Sequence, residues 1–201
     1  MSTLMSKLKS ELTAAVKLRC REEGFTKKGY WFRRTSSKEG FDDMLLFGQS
    51  YYVTARALTV SVGIRNLNIE QLFVKLTANH LCVPLPLVVI NIGYLEPQKW
   101  YKDWYMKDTT NLDNIVNEIF EEIRQYACPF FDEYADLDRL IEVFEHRDLF
   151  IGKAEQFYFL PLLYLITGQK NKGLEFYDNL PDDFVLDDWK RNYIEKYKRD
   201  L

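Results

Sequence analysis

The feature that most constrains how this chain folds is a change in the period of its hydrophobic residues near residue 110. Residues 57–65 alternate between apolar and small or polar side chains, which is the period of a half-buried strand. From residue 111 onward, apolar residues recur at the three- and four-residue spacing of an amphipathic helix, as in Leu112, Ile115, Val116, Ile119 and Phe120. The chain therefore predicts a segregated α+β fold, in which a sheet is followed by helices, rather than alternating βαβ units.

The first half is expected to be a helix followed by an antiparallel sheet of about four strands. A helix is predicted for residues 3–23, with Gly24 at its C′ position because glycine accepts the left-handed conformation there. Residues 25–35, 41–53 and 57–65 are predicted strands, and their short connections favour an antiparallel meander. After a helix at 68–80, a fourth strand at 85–94 is predicted to be internal because it is apolar on both sides, and strands should end near Pro97.

The second half is expected to be a bundle of helices. The first covers residues 111–127 and should stop or kink at Pro129, and the next begins at Asp136. An antiparallel pair is predicted for 153–167 and 172–180, and a last helix for 187–199. We therefore expect a sheet domain at residues 1–108 and a helical half at 109–201 that packs against it to form one globular unit.

The sequence indicates a protein of the cytoplasm. Its amino terminus lacks the apolar core of a signal peptide, and the two most apolar stretches, 81–92 and 157–166, are shorter than the ~20 residues that cross a bilayer. The three cysteines, Cys20, Cys82 and Cys128, stand far apart, as suits buried thiols in a reducing compartment. We expect no membrane association.

Charge is unevenly distributed along the chain. The net charge of −3 is composed of +7 in residues 1–38, −1 in residues 39–110 and −9 in residues 111–201. One interpretation is that the protein has two binding faces of opposite charge. The other is that the two halves neutralise each other or are simply solvated.

No motif for catalysis, metal binding or cofactor binding is present. Glycine-rich phosphate loops and metal-ligand spacings are absent. His80 lies two residues before Cys82, and the pair would share a face only in a strand, so a loop histidine beside a buried thiol is the alternative. The acidic pairs at 182–183 and 187–188 stand where helix N-caps are expected. We predict no catalytic residue, no metal and no cofactor.

Two aromatic segments are candidate binding surfaces. The stretch 27–34, KKGYWFRR, combines basic and aromatic side chains, which can bind nucleic-acid backbones and stack on bases. The pI of about 5.5 argues against nucleic acid, whereas carboxylates of a protein partner would suit the same arginines. Trp100, Tyr101, Trp104 and Tyr105 would form an exposed aromatic ridge if their segment were helical, although a buried anchor is the commoner role for such residues.

The first third of the chain resembles a bacterial family known only as a domain of unknown function, number 4304. The resemblance is carried by an opening helix, GFTKKGYWFR at 24–33, FGQS at 47–50 and TVSVGI at 59–64, in that order. An asparagine that is common in the family near the last of these segments is missing here. The resemblance implies the same fold, with a helical tail, and implies no activity. It makes Lys28, Arg33, Gln49 and Ser50 the polar members of any shared site.

The function expected from these observations is a non-enzymatic binding module of the immunity or adaptor type. It would engage a protein partner through the basic and aromatic sheet or through the acidic helical half, with Lys28, Trp31, Arg33, Gln49, Ser50 and Arg65 as its binding residues. The first alternative is a small hydrolase or ligand-binding enzyme with a polar site around Arg33, Gln49, Ser50 and Arg65. The second alternative is a single-stranded nucleic-acid-binding protein.

Overall fold

An antiparallel sheet lies at the centre of the computed structural model, which describes residues 3–52, 55–77, 85–181 and 184–200. Its strands are β1 (Thr26–Lys28), β2 (Trp31–Thr35), β3 (Phe41–Tyr51), β4 (Arg56–Asn66), β5 (Val88–Asn91) and β6 (Asp103–Met106). Strands β1 to β5 are neighbours in chain order, and β6 also pairs with β4. The predicted α+β class, with an antiparallel sheet followed by helices, is confirmed.

The helices surround this sheet. They are α1 (Thr3–Glu22), α2 (Leu67–Thr77), α3 (Leu112–Glu122), α4 (Cys128–Tyr134), α5 (Leu137–His146), α6 (Lys153–Ile166), α7 (Lys170–Asp178) and α8 (Asp188–Asp200). A 3-10 turn, Ile92–Leu95, follows β5, and a π-helical turn, Ile123–Ala127, joins α3 to α4. Within the described residues, no helix combines the length and apolar character needed to traverse a bilayer.

The far edge of the sheet differs from the prediction. The strand expected to be internal, β5, is only four residues long, pairs with β4 alone and leaves Val89 on the surface. Strands do not end near Pro97, because β6 pairs with the other end of β4 along the same edge. The two short strands therefore share one side of β4, and each buries one face of its side chains.

Pro129 does not end the helical run that begins with α3. At the π-helical turn the backbone N–H of Cys128 donates to the carbonyl of Ile123, one residue further back than in an α-helix. Pro129 then lies in the first turn of α4, where a missing N–H is tolerated. The proline is thus accommodated by a local change of helix type.

One face of the sheet is covered by α1 and α3. Helix α1 buries Leu8, Leu12, Val16 and Cys20 at helical spacing. On the strand side, Phe47 of β3 stacks on Phe120 of α3 with ring centroids 6.1 Å apart. We call this side the covered face. The opposite face carries the alternate residues of each strand, among them Asp42, Thr59 and Arg65.

Helices α5 and α7 pack against α6, which also contacts α2 beside the sheet. Pro161 lies inside α6 and cannot donate to the carbonyl of Phe157, four residues earlier. The hydroxyl of Tyr177 in α7 donates to that carbonyl instead, at 3.2 Å. Tyr193 and Tyr197 of α8 donate in the same way to the carbonyls of Tyr158 (3.0 Å) and Pro161 (2.9 Å). Three phenols therefore bind the backbone of α6 around its proline.

A single cluster of buried apolar side chains extends from α1 through the sheet to α8. Phe73 of α2 links the two halves. Its ring packs against those of Tyr158 and Phe159 of α6 and Tyr193 of α8, with ring centroids 5.4–6.3 Å apart. Burial of this kind stabilises by roughly 25 cal/mol per Å² of apolar surface. The helices and the sheet are thus held by a common core.

Candidate functional site

The two arginines of the predicted sheet site lie together at one end of the opposite face. The guanidinium of Arg65 donates from Nη1 to Asp42 at 2.6 Å, and from Nε and Nη2 to Glu70 at 2.6 and 2.7 Å. Arg33 lies more loosely, 3.7 Å from Asp42. We call Arg33, Asp42, Arg65 and Glu70 the charged end of the sheet.

The charged end is balanced internally. Burial disfavours the ionised form of Glu70, but hydrogen bonds from Arg65 and from the backbone N–H of Leu85 outweigh that effect, so the pKa of Glu70 lies below its usual value. Hydrogen bonds to Glu70 in turn raise the pKa of Arg65, against the effect of burial. Arg65 is therefore committed to intramolecular partners, and we assign it an architectural role.

The basic and aromatic stretch is divided between the two faces of the sheet. Lys28, Trp31 and Arg33 lie on the opposite face, where Lys28 is exposed and Trp31 is half-buried. Phe32 and Arg34 point to the covered face, where Phe32 is buried and Arg34 pairs with Asp43 at 2.8 Å. Because strand neighbours alternate, the stretch does not form one continuous basic surface.

Gln49 and Ser50 lie far from the two arginines. Gln49 points to the covered face, where its side-chain amide donates to Thr13 of α1, and Ser50 is exposed on the opposite face. Eight residues of extended strand separate Ser50 from Asp42, a distance of roughly 26 Å. The structure thus places Lys28, Trp31, Arg33 and Arg65 in one region, and it brings neither Gln49 nor Ser50 into it.

Several chemical candidates from the sequence receive no further role. His80, Cys82 and the acidic pair at 182–183 lie outside the described residues. Asp187 accepts from the backbone N–H of Lys190 at 2.8 Å, so it caps α8 as expected. Within the part of the chain that is described, no group of three or more histidine, cysteine or acidic side chains is arranged to hold a metal ion.

The other end of the sheet carries an aromatic cleft of about 630 Å³. We use this name for the concave surface lined by Tyr52, Glu96, Gln98, Trp100, Tyr101, Lys102, Asp103 and Tyr105. Its four aromatic side chains are exposed to between 51 and 62%. Single exposed rings are common on protein surfaces, whereas several that lie together often mark an interaction site.

Strand β6 determines which of these aromatic residues reach the cleft. Trp104 points to the covered face, where it is buried and donates from Nε1 to Glu118 at 2.9 Å. Its neighbours Asp103 and Tyr105 point the other way, opposite Thr59 and Ala57 of β4. The segment is a strand preceded by a loop, not the helix that a continuous aromatic ridge would need. Alternation along the strand exposes Tyr105 and buries Trp104.

The loop that leads into β6 is fixed by Asn91. Its side-chain oxygen accepts from the backbone N–H groups of Gly93 and Lys102, both at 3.0 Å, and its amide donates to the carbonyl of Lys102. Gly93 is required there, because a Cβ atom would clash with the carbonyl oxygen of Trp100. Trp100 and Tyr101 are thus presented by an ordered loop.

Polar groups position the rings of the aromatic cleft. The hydroxyl of Thr59 donates to Asp103 at 2.6 Å and lies 3.3 Å from the hydroxyl of Tyr101. The rings of Tyr52 and Tyr105 meet at 5.7 Å. A hydrogen bond with Tyr52 is the main cause that raises the pKa of Tyr105 above its usual value, so this phenol stays protonated at neutral pH.

A partly buried cluster of three charged residues borders the aromatic cleft. The ammonium of Lys102 lies 2.8 Å from Glu96 and 2.5 Å from Glu122. Burial, together with the neighbouring Glu96, raises the pKa of Glu122 to about 7 despite the bond to Lys102. Bonds to the two glutamates raise the pKa of Lys102 against the effect of burial. Lys102 therefore keeps its charge and is held by two carboxyl groups.

A larger groove, of about 780 Å³, lies between α5, α6 and α7. Two of its polar side chains are bonded within the protein: Tyr164 donates to Glu145 at 2.6 Å, and Gln156 donates to the carbonyl of Phe144 at 2.7 Å. It lacks the exposed rings found at β6. The aromatic cleft is therefore the better candidate for a binding site.

No family model matches the chain, and comparison with curated proteins and with solved structures gives no match. The resemblance of residues 1–65 to the family of unknown function stays a prediction.

Proposed function

We propose that the protein is a binding module that engages a partner protein through the aromatic cleft. The observation that carries the proposal is the group of four half-exposed rings, those of Tyr52, Trp100, Tyr101 and Tyr105, around one concave surface. Tyrosine and tryptophan are enriched in protein interfaces, where a few such side chains supply most of the binding energy. An immunity or adaptor role fits a module of this kind.

The shape of the cleft favours a protein over a small ligand. Pockets for small molecules usually enclose about 70–90% or more of their ligand. Here each lining ring is itself at least half exposed, so a small ligand would remain largely in solvent. A partner surface can cover all four rings at once.

Nucleic acid is the alternative that also uses exposed rings, because bases stack on them. Such sites pair the rings with basic groups that contact phosphates. The only basic side chain that lines the aromatic cleft within the described residues is Lys102, and Glu96 and Glu122 already bind it. We therefore favour a protein partner.

The proposal is tested by affinity capture from a lysate of the organism that encodes the protein. Three baits are compared: the wild type, the double variant Tyr101→Ala/Tyr105→Ala, and Tyr30→Ala. Tyr30 is a matched control because it is exposed to 79% at the turn between β1 and β2, away from the cleft. All three should have the same circular dichroism spectrum.

The wild type and Tyr30→Ala are expected to retain the same protein, identified by mass spectrometry. The double variant should retain at least about tenfold less of it, since the loss of two aromatic anchors from one interface commonly weakens binding by that factor or more. Equal retention by all three baits, or reproducible capture of nothing by the wild type, would contradict the proposal.

A further inference from the structure

Asp103 is the one half-buried carboxylate of the sheet whose charge is left without a cationic partner among the described residues. Thr59 donates to one of its oxygens at 2.6 Å, and the described part of the chain places no lysine or arginine in an ion pair with it. Other buried or half-buried carboxylates around the sheet each have such a partner within 4 Å. They are Asp42, Asp43, Glu70, Glu96 and Glu122. The unpaired charge lies in the aromatic cleft.

Two of the rings lie beside this carboxylate. Asp103 and Tyr105 emerge from the same face of β6, and Thr59 links Asp103 to the hydroxyl of Tyr101. The ring of Tyr52 lies against that of Tyr105. The faces of aromatic rings carry negative potential and attract cations, and a carboxylate beside them adds to that attraction.

The charge balance of the cleft points the same way. Two carboxyl groups, those of Glu96 and Asp103, line the cleft together with the single ammonium of Lys102, which also binds Glu122 at its border. Because Lys102 is bound on two sides, it does not neutralise Asp103. An anionic ligand would be repelled here, and a cation would complete the pairing.

From this geometry we infer that the aromatic cleft receives a lysine or arginine side chain of the partner protein, an inference that rests on the proposed function. The apolar stem of such a side chain would lie along the half-exposed rings while its charged group reaches Asp103. A free quaternary ammonium compound has the same charge chemistry but no attached protein surface to cover the remaining rings. It is therefore a separate outcome of the test.

The test is a titration of ¹⁵N-labelled protein followed by NMR. The readout is the indole N–H signal of Trp100, assigned with Trp100→Phe, since this side chain is exposed in the cleft. The probes are three capped tripeptides of sequence Gly-X-Gly, in which X is lysine, arginine or norleucine, together with tetramethylammonium. Norleucine matches the stem of lysine and lacks its ammonium group. The variants are Asp103→Asn and, as a matched control, Asp108→Asn, which changes an exposed aspartate in the turn after β6.

The lysine and arginine peptides are expected to bind in the millimolar range, and the norleucine peptide about tenfold more weakly. Asp103→Asn should weaken binding of the charged peptides about fivefold or more and leave norleucine unchanged, whereas Asp108→Asn should change neither by more than about twofold. Equal binding of norleucine and lysine, or no effect of Asp103→Asn, would overturn the inference. Tetramethylammonium binding more than about tenfold tighter than the peptides would replace it with a free organic cation.

The two proposals fail in different ways. If norleucine binds as well as lysine while capture of the partner still depends on Tyr101 and Tyr105, only the inference about charge is lost. If capture does not depend on those tyrosines, the proposed function itself is lost.

Discussion

The two ends of the opposite face of the sheet differ in whether their polar and aromatic side chains are buried and bonded within the protein. At the charged end, Arg65 is buried and bonded to both Asp42 and Glu70. In the aromatic cleft, about six residues away along β4 and so roughly 20 Å distant, large rings face water and Asp103 has no cationic partner among the described residues. A conspicuous residue in the sequence therefore indicates a binding site only if the fold leaves its polar or apolar groups without a partner.

The largest effect is expected at the charged end. Arg65→Ala would leave Asp42 buried without its closest cation, and we expect the free energy of unfolding to fall by about 3–5 kcal/mol. Chemical denaturation measures it. The matched control is Arg33→Ala, which removes a looser and more exposed contact to the same Asp42 and should cost about 1 kcal/mol or less. If the two variants lose similar amounts of unfolding free energy, Arg65 has no special structural role, and the contrast with the aromatic cleft fails.

An intermediate effect is expected at the cluster beside the aromatic cleft. The pKa of Glu122 is about 7 in the folded protein, against 4.5 for an ordinary glutamate, so the folded state holds this proton more tightly than the unfolded chain. Stability from this group is therefore present at low pH and is lost as the pH rises from about 4.5 to about 7. Between about pH 5 and about pH 8 the wild type should lose about 2–3 kcal/mol relative to Glu122→Gln.

Denaturation curves of both proteins at several pH values measure this difference. Glu121→Gln, a change at the exposed neighbour in α3, should follow the wild type at every pH. If the difference in unfolding free energy between the wild type and Glu122→Gln is the same at every pH, the glutamate ionises normally. Its carboxylate would then be stabilised against burial, as that of Glu70 is at the charged end.

The smallest effect on stability is expected within the aromatic cleft itself. Tyr105→Ala should leave the denaturation midpoint of the protein almost unchanged, because the side chain is mostly in solvent. Its neighbour Trp104 is the control, since Trp104→Ala empties a buried position and should cost about 3–5 kcal/mol. A large loss of stability in Tyr105→Ala would indicate that the exposed rings serve the fold.

The sequence predicts the parts of the fold that depend on long periodic segments. The alternation of residues 57–65 corresponds to β4, and the apolar stripe after residue 111 corresponds to α3 and the turns that follow it. Strand β6 is missed because four residues are too few to show a period. The π-helical turn before Pro129 is missed because the proline does not indicate which carbonyl accepts the hydrogen bond from the N–H of Cys128.

The candidate site was predictable only in part. Trp100, Tyr101 and Tyr105 stand out in the sequence, but their exposure depends on β6 being a strand. The pairing of Arg65 with Asp42 depends on the register of β3 and β4, which the sequence does not specify. One separation was visible beforehand: Gln49 and Ser50 are adjacent in a strand, so they point to opposite faces.

Because tyrosine hydroxyls bind the backbone around Pro161, the effect of a substitution at one of these positions depends on the residue at the other. An alanine at 161 would restore an N–H group to α6 and compete with Tyr177 for the carbonyl of Phe157. A phenylalanine at 177 is costly while the proline is present, because that carbonyl then loses its donor. The same phenylalanine becomes tolerable once position 161 can donate. The two positions are therefore epistatic, and neither substitution has a fixed effect of its own.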